Sequence, residues 1–162
     1  MKRLWTPWRM KYILGKKPKH CIFCEKITQD KDKENHIILR GKTCYIALNK
    51  YPYNNGHLMV IPYKHVSKLE ELDDQTSLEI MSLLKLSARV LDETVKPGGI
   101  NIGINLGADS GSSADHIHIH VVPRWHGDTN FMPVLAKTKL IAETLDDTYQ
   151  RLRSALTGII CE

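Results

Sequence analysis

Residues 116–123 read HIHIHVVP, and how this run folds decides the reading of the whole chain. In a strand, side chains alternate between faces and i, i+2 neighbours lie roughly 7 Å apart. His116, His118 and His120 then share one face, while Ile117, Ile119 and Val121 point the other way, into a core. A polar strand face meant only for solvent needs Lys, Thr or Glu. Three of the chain's eight histidines in register there form an array suited to chemistry. Two chemistries fit it. All three could bind one metal ion, although ligands two apart on a strand splay along it and need other segments in order to converge. Alternatively, a neutral imidazole attacks phosphorus while its neighbours orient it and handle charge.

The flanks extend the pattern. Upstream, GADSGSSAD (107–115) offers glycine amides, Gly111 among them, and the Ser112 and Ser113 hydroxyls, a loop able to cradle phosphate oxygens. HIILR (36–40) and CYIAL (44–48) read as two strands around a Gly41-Lys42 turn. The turn-rich NKYPYNNG (49–56) leads into a third strand, HLMVIP (57–62), which Pro62 stops. Ile80, Leu83, Leu84, Ala88, Leu91 and Val95 recur at helical spacing up to Pro97-Gly98-Gly99, predicting a long helix over 74–96. TSLE (76–79) has the form of a capping box, with Asp73 or Asp74 as the cap of an earlier start. INIGIN (100–105) is a fourth strand, and the histidine run is the fifth. Ile141, Leu145, Tyr149, Leu152 and Leu156 mark a C-terminal helix, and 26–34 reads as a polar link. The sum is an α+β fold, an antiparallel sheet of about five strands with one long and one C-terminal helix.

Bulk properties narrow the class. The 162 residues are 42% hydrophobic and 25% charged, ordinary for a soluble globular domain. No apolar run approaches the roughly 20 residues that span a bilayer. The basic, aromatic arm at 1–18 is broken by Trp and Pro and has no apolar stretch or cleavage site, so a cytoplasmic protein is expected. The net charge of +5 suits an anionic substrate or a nucleic-acid surface equally. Cys21 and Cys24 form CIFC, Cys44 lies in an apolar strand and Cys161 in the tail. The CxxC pair reads as half of a metal site, since redox use of the motif needs a thioredoxin-like βαβ setting absent here. Zinc needs about four ligands, so two remain to be found.

HIHIHVVP has the pattern His-φ-His-φ-His-φ-φ, and LNKYPYNNGHLMVIPYKH (48–65) is similar to the second shared block of the same family. The chain therefore resembles the histidine triad (HIT) superfamily of nucleotide hydrolases and transferases over about Cys21 to Arg124. The resemblance implies a HIT domain over 19–134, with 135–162 packed on it as the C-terminal helix, and usually a homodimer, here expected to use the long helix. It implies attack of His118 on an α-phosphate to give a covalent nucleotidyl-histidine, with His120 on the phosphate or leaving group and His116 orienting the strand. Asn49 takes the ribose position. Asn105, Gly111, Ser112 and Ser113 take phosphate positions, with Ser112 standing where Gln is frequent. In the CxxC-bearing branch the remaining zinc ligands correspond to His65 and His116, so that Cys21, Cys24, His65 and His116 would hold a structural zinc. His57 is either part of the polar network behind the site or a satisfied core histidine. His20, His36 and His126 read as solvated.

The flanking LWTPWRMKYI (4–13) and PRWHGDTNFMPV (123–134) resemble the bacterial branch similar to diadenosine tetraphosphate phosphorylases. That implies a dinucleoside polyphosphate substrate and phosphate as acceptor, with no membrane and no specific nucleic-acid partner. Arg124, Lys64 and Arg9 are candidates for the acceptor anion. Trp5, Trp8 and Trp125 either stack a base or pack the arm. Phosphoramidase activity, asymmetric hydrolysis and a non-catalytic nucleotide or RNA sensor are the competing readings.

Overall fold

The computed structural model describes residues 20–111, 114–128 and 141–161. Five strands form one antiparallel sheet in the order β1-β2-β3-β5-β4: β1 (Ile37–Arg40), β2 (Cys44–Leu48), β3 (Leu58–Pro62), β4 (Gly99–Ile104) and β5 (Ile119–Arg124). Three helices accompany it among the described residues: α1 (Ile22–Thr28), α2 (Asp74–Thr94) and α3 (Leu145–Cys161). The α+β expectation holds. None of these helices is long and apolar enough to cross a membrane.

Alternation sorts the side chains. Ile46, Leu48, Leu58, Val60, Ile119 and Val121 face α2 and α3 and form one dry core with Leu83, Leu84, Leu91, Leu152 and Leu156. Tyr45, Ala47, Met59 and Ile61 face the opposite way and pack under Phe23 of α1. The long helix starts at Asp73, whose carboxylate accepts the Thr76 amide at 2.7 Å, so the earlier cap is the one used. Glu79 does not close a box with Thr76. It reaches across to the β1–β2 turn and accepts the Lys42, Thr43 and Cys44 amides and the Thr43 hydroxyl. That closeness requires Gly41, because a Cβ there would lie 2.6 Å from the Glu79 carboxylate and 2.9 Å from the Cys44 carbonyl.

Three expectations need correction. Residues 22–28, read in part as a polar link, form α1, because Phe23 and Ile27 give the short helix an apolar side against the sheet. His36 is not simply solvated: its Nε2 lies 2.9 Å from Asp146 of α3 and its ring meets Tyr149 edge-on. Arg153 donates to the Ile37 and Ile38 carbonyls, so α3 docks on β1 through polar contacts at the sheet edge. The ladder of β5 begins at Ile119, later than the histidine run. Pro62 has no amide hydrogen to continue the pairing, and Ile117 donates instead to the Val66 carbonyl at 2.8 Å.

Candidate active site and metal centre

The strand registers lay the site out as a grid. Val60 pairs with Ile119 and Ile119 with Ile104, a row that ends the ladder just where His118 leads into β5 and Asn105 follows β4. One step along, Ile37, Ala47, Met59, His120 and Gly103 form a row. One step farther, Asn49 adjoins His57, since the Asn49 amide donates to the His57 carbonyl at 2.9 Å. His120 therefore stands within the sheet between Met59 and Gly103, and His116 and His118 lie on the segment that enters β5.

Each imidazole nitrogen can be assigned. His118 Nδ1–H donates to the His116 carbonyl at 2.8 Å, which leaves Nε2 as a lone pair. Burial lowers its proton affinity, partly opposed by that bond, so the ring is neutral. The Tyr53 amide donates to His57 Nδ1 at 3.1 Å, so His57 carries its proton on Nε2 and gives it to His120 Nδ1 at 2.9 Å. His120 must then hold its own proton on Nε2, as a donor toward the site. Burial, then the neighbouring His120 and His118, push His57 down to about 3, which keeps this order at neutral pH. His57 thus belongs to the polar network.

Beside His120 lies a cavity of about 410 Å³ lined by Tyr53, Asn54, Asn101, Asn105 and Arg124 among others. Its wall is braced by Asp128, which accepts two bonds from Arg124 at 2.6 and 3.0 Å and one from Asn54 at 2.8 Å. The Arg124 guanidinium holds the Asp128 carboxyl well below the usual carboxylate range. Arg124, a candidate for the acceptor anion, is therefore already neutralised. Lys64 points its amine at the Glu71 carbonyl. Ser112, Ser113, Trp5, Trp8 and Arg9 lie outside the described residues. Gly111 is exposed with a φ of 87°, a conformation that favours glycine. Trp125 is pinned by its Nε1–H to the Val95 carbonyl at 3.3 Å.

Cys21, Cys24, His65 and His116 converge, their ligand atoms all within 4.8 Å of one another. His116 Nδ1 lies 3.2 Å from Cys21 Sγ and 3.5 Å from Cys24 Sγ, and His65 Nδ1 lies 3.4 Å from Cys24 Sγ. Metal bonds of roughly 2.0–2.3 Å in a tetrahedron imply ligand separations of roughly 3.3–3.8 Å, so the residues fit zinc. His116 Nε2–H is spent on the Pro62 carbonyl at 3.0 Å, which turns the Nδ1 lone pair toward the sulfurs. With no cation, burial and the neighbouring Cys21 push Cys24 up to about 11. A divalent ion supplies the charge that two thiolates need.

Sequence reasoning missed Phe23, Tyr53, Asn54 and Asp128. The buried Phe23 ring sits between the cysteines in sequence and 5.0 Å, centroid to centroid, from His118 in space. An apolar residue inside CIFC was the available signal. Tyr53, Asn54 and Asp128 act from turns, where the sequence carries no period to follow.

Known proteins share the sequence pattern and the fold. The HIT domain family matches residues 30–127. The AP-4-A phosphorylase of Mycobacterium tuberculosis is 44% identical over 94% of this chain and 83% of its own length. A zinc-bound histidine triad family protein of Mycobacterium smegmatis superposes with a TM-score of 0.71 at 27% identity, covering 87% of this chain and 96% of that one. A hypothetical histidine triad nucleotide-binding protein of Sulfolobus tokodaii gives a TM-score of 0.70 at 27% identity, over 86% and 93%. With the triad strand, the register around it and the family match coinciding, the chain belongs to the HIT domain family.

Proposed function

We propose that this chain is an enzyme that cleaves dinucleoside polyphosphates such as diadenosine tetraphosphate at the α-phosphate and passes the nucleotidyl group through His118 to inorganic phosphate. The observation that carries this reading is the fixed tautomer of His118, with its Nδ1–H on the His116 carbonyl at 2.8 Å. The likeness to the M. tuberculosis phosphorylase supports the substrate and the acceptor.

The steps follow from the ring assignments. The His118 Nε2 lone pair attacks the α-phosphorus; an N–P bond forms as the bond to the bridging oxygen breaks, and the electron pair leaves with the nucleoside triphosphate. The positive charge left on the imidazole is met by the His116 carbonyl, while His120 Nε2–H donates to the oxygens on which negative charge builds. A phosphate oxygen then attacks the same phosphorus, the N–P bond breaks, and its electrons return to Nε2. The products are a nucleoside diphosphate and a nucleoside triphosphate. Asn105, which lines the cavity beside His120, together with Gly111, Ser112 and Ser113, would hold phosphate oxygens, and Asn49 would hold the ribose.

We assign zinc to Cys21, Cys24, His65 and His116 in a structural role, because four protein ligands leave no position for water or substrate. The exposed Leu78 and Met81 of α2, at 72% and 54%, support a homodimer that uses the long helix. A cytoplasmic site of action fits the same reading. Product analysis with diadenosine tetraphosphate, with and without phosphate, tests the proposal. ADP with ATP is expected when phosphate is present; AMP with ATP regardless of phosphate would make the chain an asymmetric hydrolase, and no cleavage would defeat the reading. Metal analysis of the purified protein should find about one zinc per chain, and none would remove that assignment.

A further inference from the structure

Glycine inside a strand weakens it, and marks a bulge, a closely approaching backbone or a place where a ligand comes near. Gly103 lies within β4, directly opposite His120. The β4–β5 register runs from Gly99–Arg124 to Ile104–Ile119 without a slip, so no bulge is present. The φ of Gly103 is not in the left-handed region, and a Cβ built on it would meet nothing within 4 Å. Among the described residues, then, neither the backbone nor the packing asks for glycine at this position. What lies over it is the cavity of about 410 Å³ beside His120. Directly opposed residues carry their Cβ atoms roughly 5 Å apart, so any side chain at 103 would enter the space next to the His120 ring.

The cavity has a direction and a chemistry. His120, Val122 and Arg124 all line it, so it runs about 14 Å along β5, away from the segment that carries His118. Of the described residues that line it, only Arg124 bears a fixed charge, and Asp128 neutralises it through bonds of 2.6 and 3.0 Å. Arg124 Nη1 donates to Asn101 Oδ1 at 2.9 Å, so the Asn101 side chain has its NH2 group to offer a ligand. The Tyr53 ring, stacked on His57 with centroids 4.8 Å apart, adds aromatic surface, and Ile102 and Val122 add apolar surface. Neutral amides beside aromatic and apolar groups suit an uncharged ring with hydrogen-bonding edges, such as a nucleobase, better than they suit a phosphate.

The geometry points to this cavity as the seat of the second nucleoside of a dinucleoside polyphosphate, the one that departs in the leaving nucleoside triphosphate, with Gly103 as the residue that admits it. The inference rests on the nucleotide reading above and adds where the distal half lies and which residue selects for it. With the α-phosphorus at His118 and the bridging oxygen at His120, the remaining phosphates pass Asn105, and the nucleoside lies over Gly103 against Tyr53 and Asn101. A mononucleoside polyphosphate leaves that last stretch unfilled. Preference for two nucleosides over one is therefore set by the missing side chain at 103.

Calorimetric titration of the intact, metal-loaded protein decides the matter with three ligands that do not react: AMP, methylene-bridged diadenosine tetraphosphate, and the matching adenosine tetraphosphate that lacks only the second nucleoside. The dinucleoside ligand should bind roughly ten- to a hundredfold more tightly than the mononucleoside one. Gly103→Val should cut that ratio to within about threefold, while affinity for AMP, which ends at the α-phosphate, stays within about threefold of its starting value. Because a Cβ there meets nothing within 4 Å, the variant should keep its melting temperature. Gly103→Ala adds a single methyl and should lower the ratio partway, and it serves as the variant if Val disturbs the strand. Equal affinity of the two tetraphosphates for the unaltered protein, or a ratio unchanged by both substitutions, overturns the site while the nucleotide reading stands. If none of the three ligands binds, both are overturned.

Discussion

The two faces of the sheet are made by the same strands, yet they are held in different ways. On the helix side, Ile46, Leu58, Val60, Ile119 and Val121 meet Leu91, Leu152 and Leu156 through apolar contact alone. On the other side, His57, His116, His118 and His120 are equally buried, but their rings are ordered by polar partners: both nitrogens of His57 and His116, and Nδ1 of His118 and His120, meet a backbone amide, a carbonyl, a second imidazole or the thiol pair. Packing tolerates exchange of similar volumes, whereas a proton order fails when one partner is lost. Stability should therefore reside chiefly on the first face and chemistry on the second.

The largest effect expected is on chemistry. Replacing His118 with Asn removes the proposed nucleophile while the proposed binding groups remain. Turnover should fall by at least about a thousandfold, with nucleotide affinity within about tenfold and the melting temperature nearly unchanged. A variant that loses its fold along with its activity would blur the division between faces. The reverse change is Leu152→Ala on the helix side, where the side chain is fully buried. It should cost about 2–5 kcal/mol in chemical denaturation and leave turnover per folded molecule intact.

A smaller effect concerns pH. His57 is neutral in the folded protein down to about 3, against about 6.5 when unfolded, because of burial first and its histidine neighbours second. Its contribution is fully present above the unfolded value and is lost as pH falls, because only the unfolded chain takes up the proton. Between pH 6.5 and pH 5 that amounts to about 2 kcal/mol, and His57→Gln should flatten this part of a stability profile. Smaller still is Glu79→Gln. Burial pushes this carboxyl up, but the Thr43 side chain and the Lys42, Thr43 and Cys44 amides hold it below its usual range. Its stabilisation is present above about pH 4.5 and lost as pH falls through the lower folded value. The variant should lose about 1–2 kcal/mol at neutral pH, with activity unaffected, as read by denaturant titration beside the turnover assay.

Alternation and helical period made most of the fold legible. β2 was read with its observed limits, and α2 follows from the spacing of Ile80 through Leu91, whereas the position of β5 between β3 and β4 was not read from the sequence. The four residues of the metal cluster were named through the resemblance and do come together. What stayed hidden depends on register or on turns. The bond from His57 to His120 spans 63 residues and appears only once β3 and β5 are aligned. The neutralisation of Arg124 depends on a turn that folds Asp128 back on it. α1 escaped because seven residues give too little period to read, and His36 because its partner Asp146 is 110 residues away.

The central claim is that His118 carries the nucleotidyl group between donor and acceptor. Rapid acid-free quenching of the enzyme with diadenosine tetraphosphate in the absence of phosphate, followed by intact-mass and peptide analysis, tests it most directly. The account predicts one added adenylyl group per active site on the peptide containing His118. That group should be lost on acid treatment, discharged as ADP when phosphate is added, and absent from His118→Asn. An adenylyl group on any other residue, or full turnover with no adduct in a quench faster than one cycle, would contradict it.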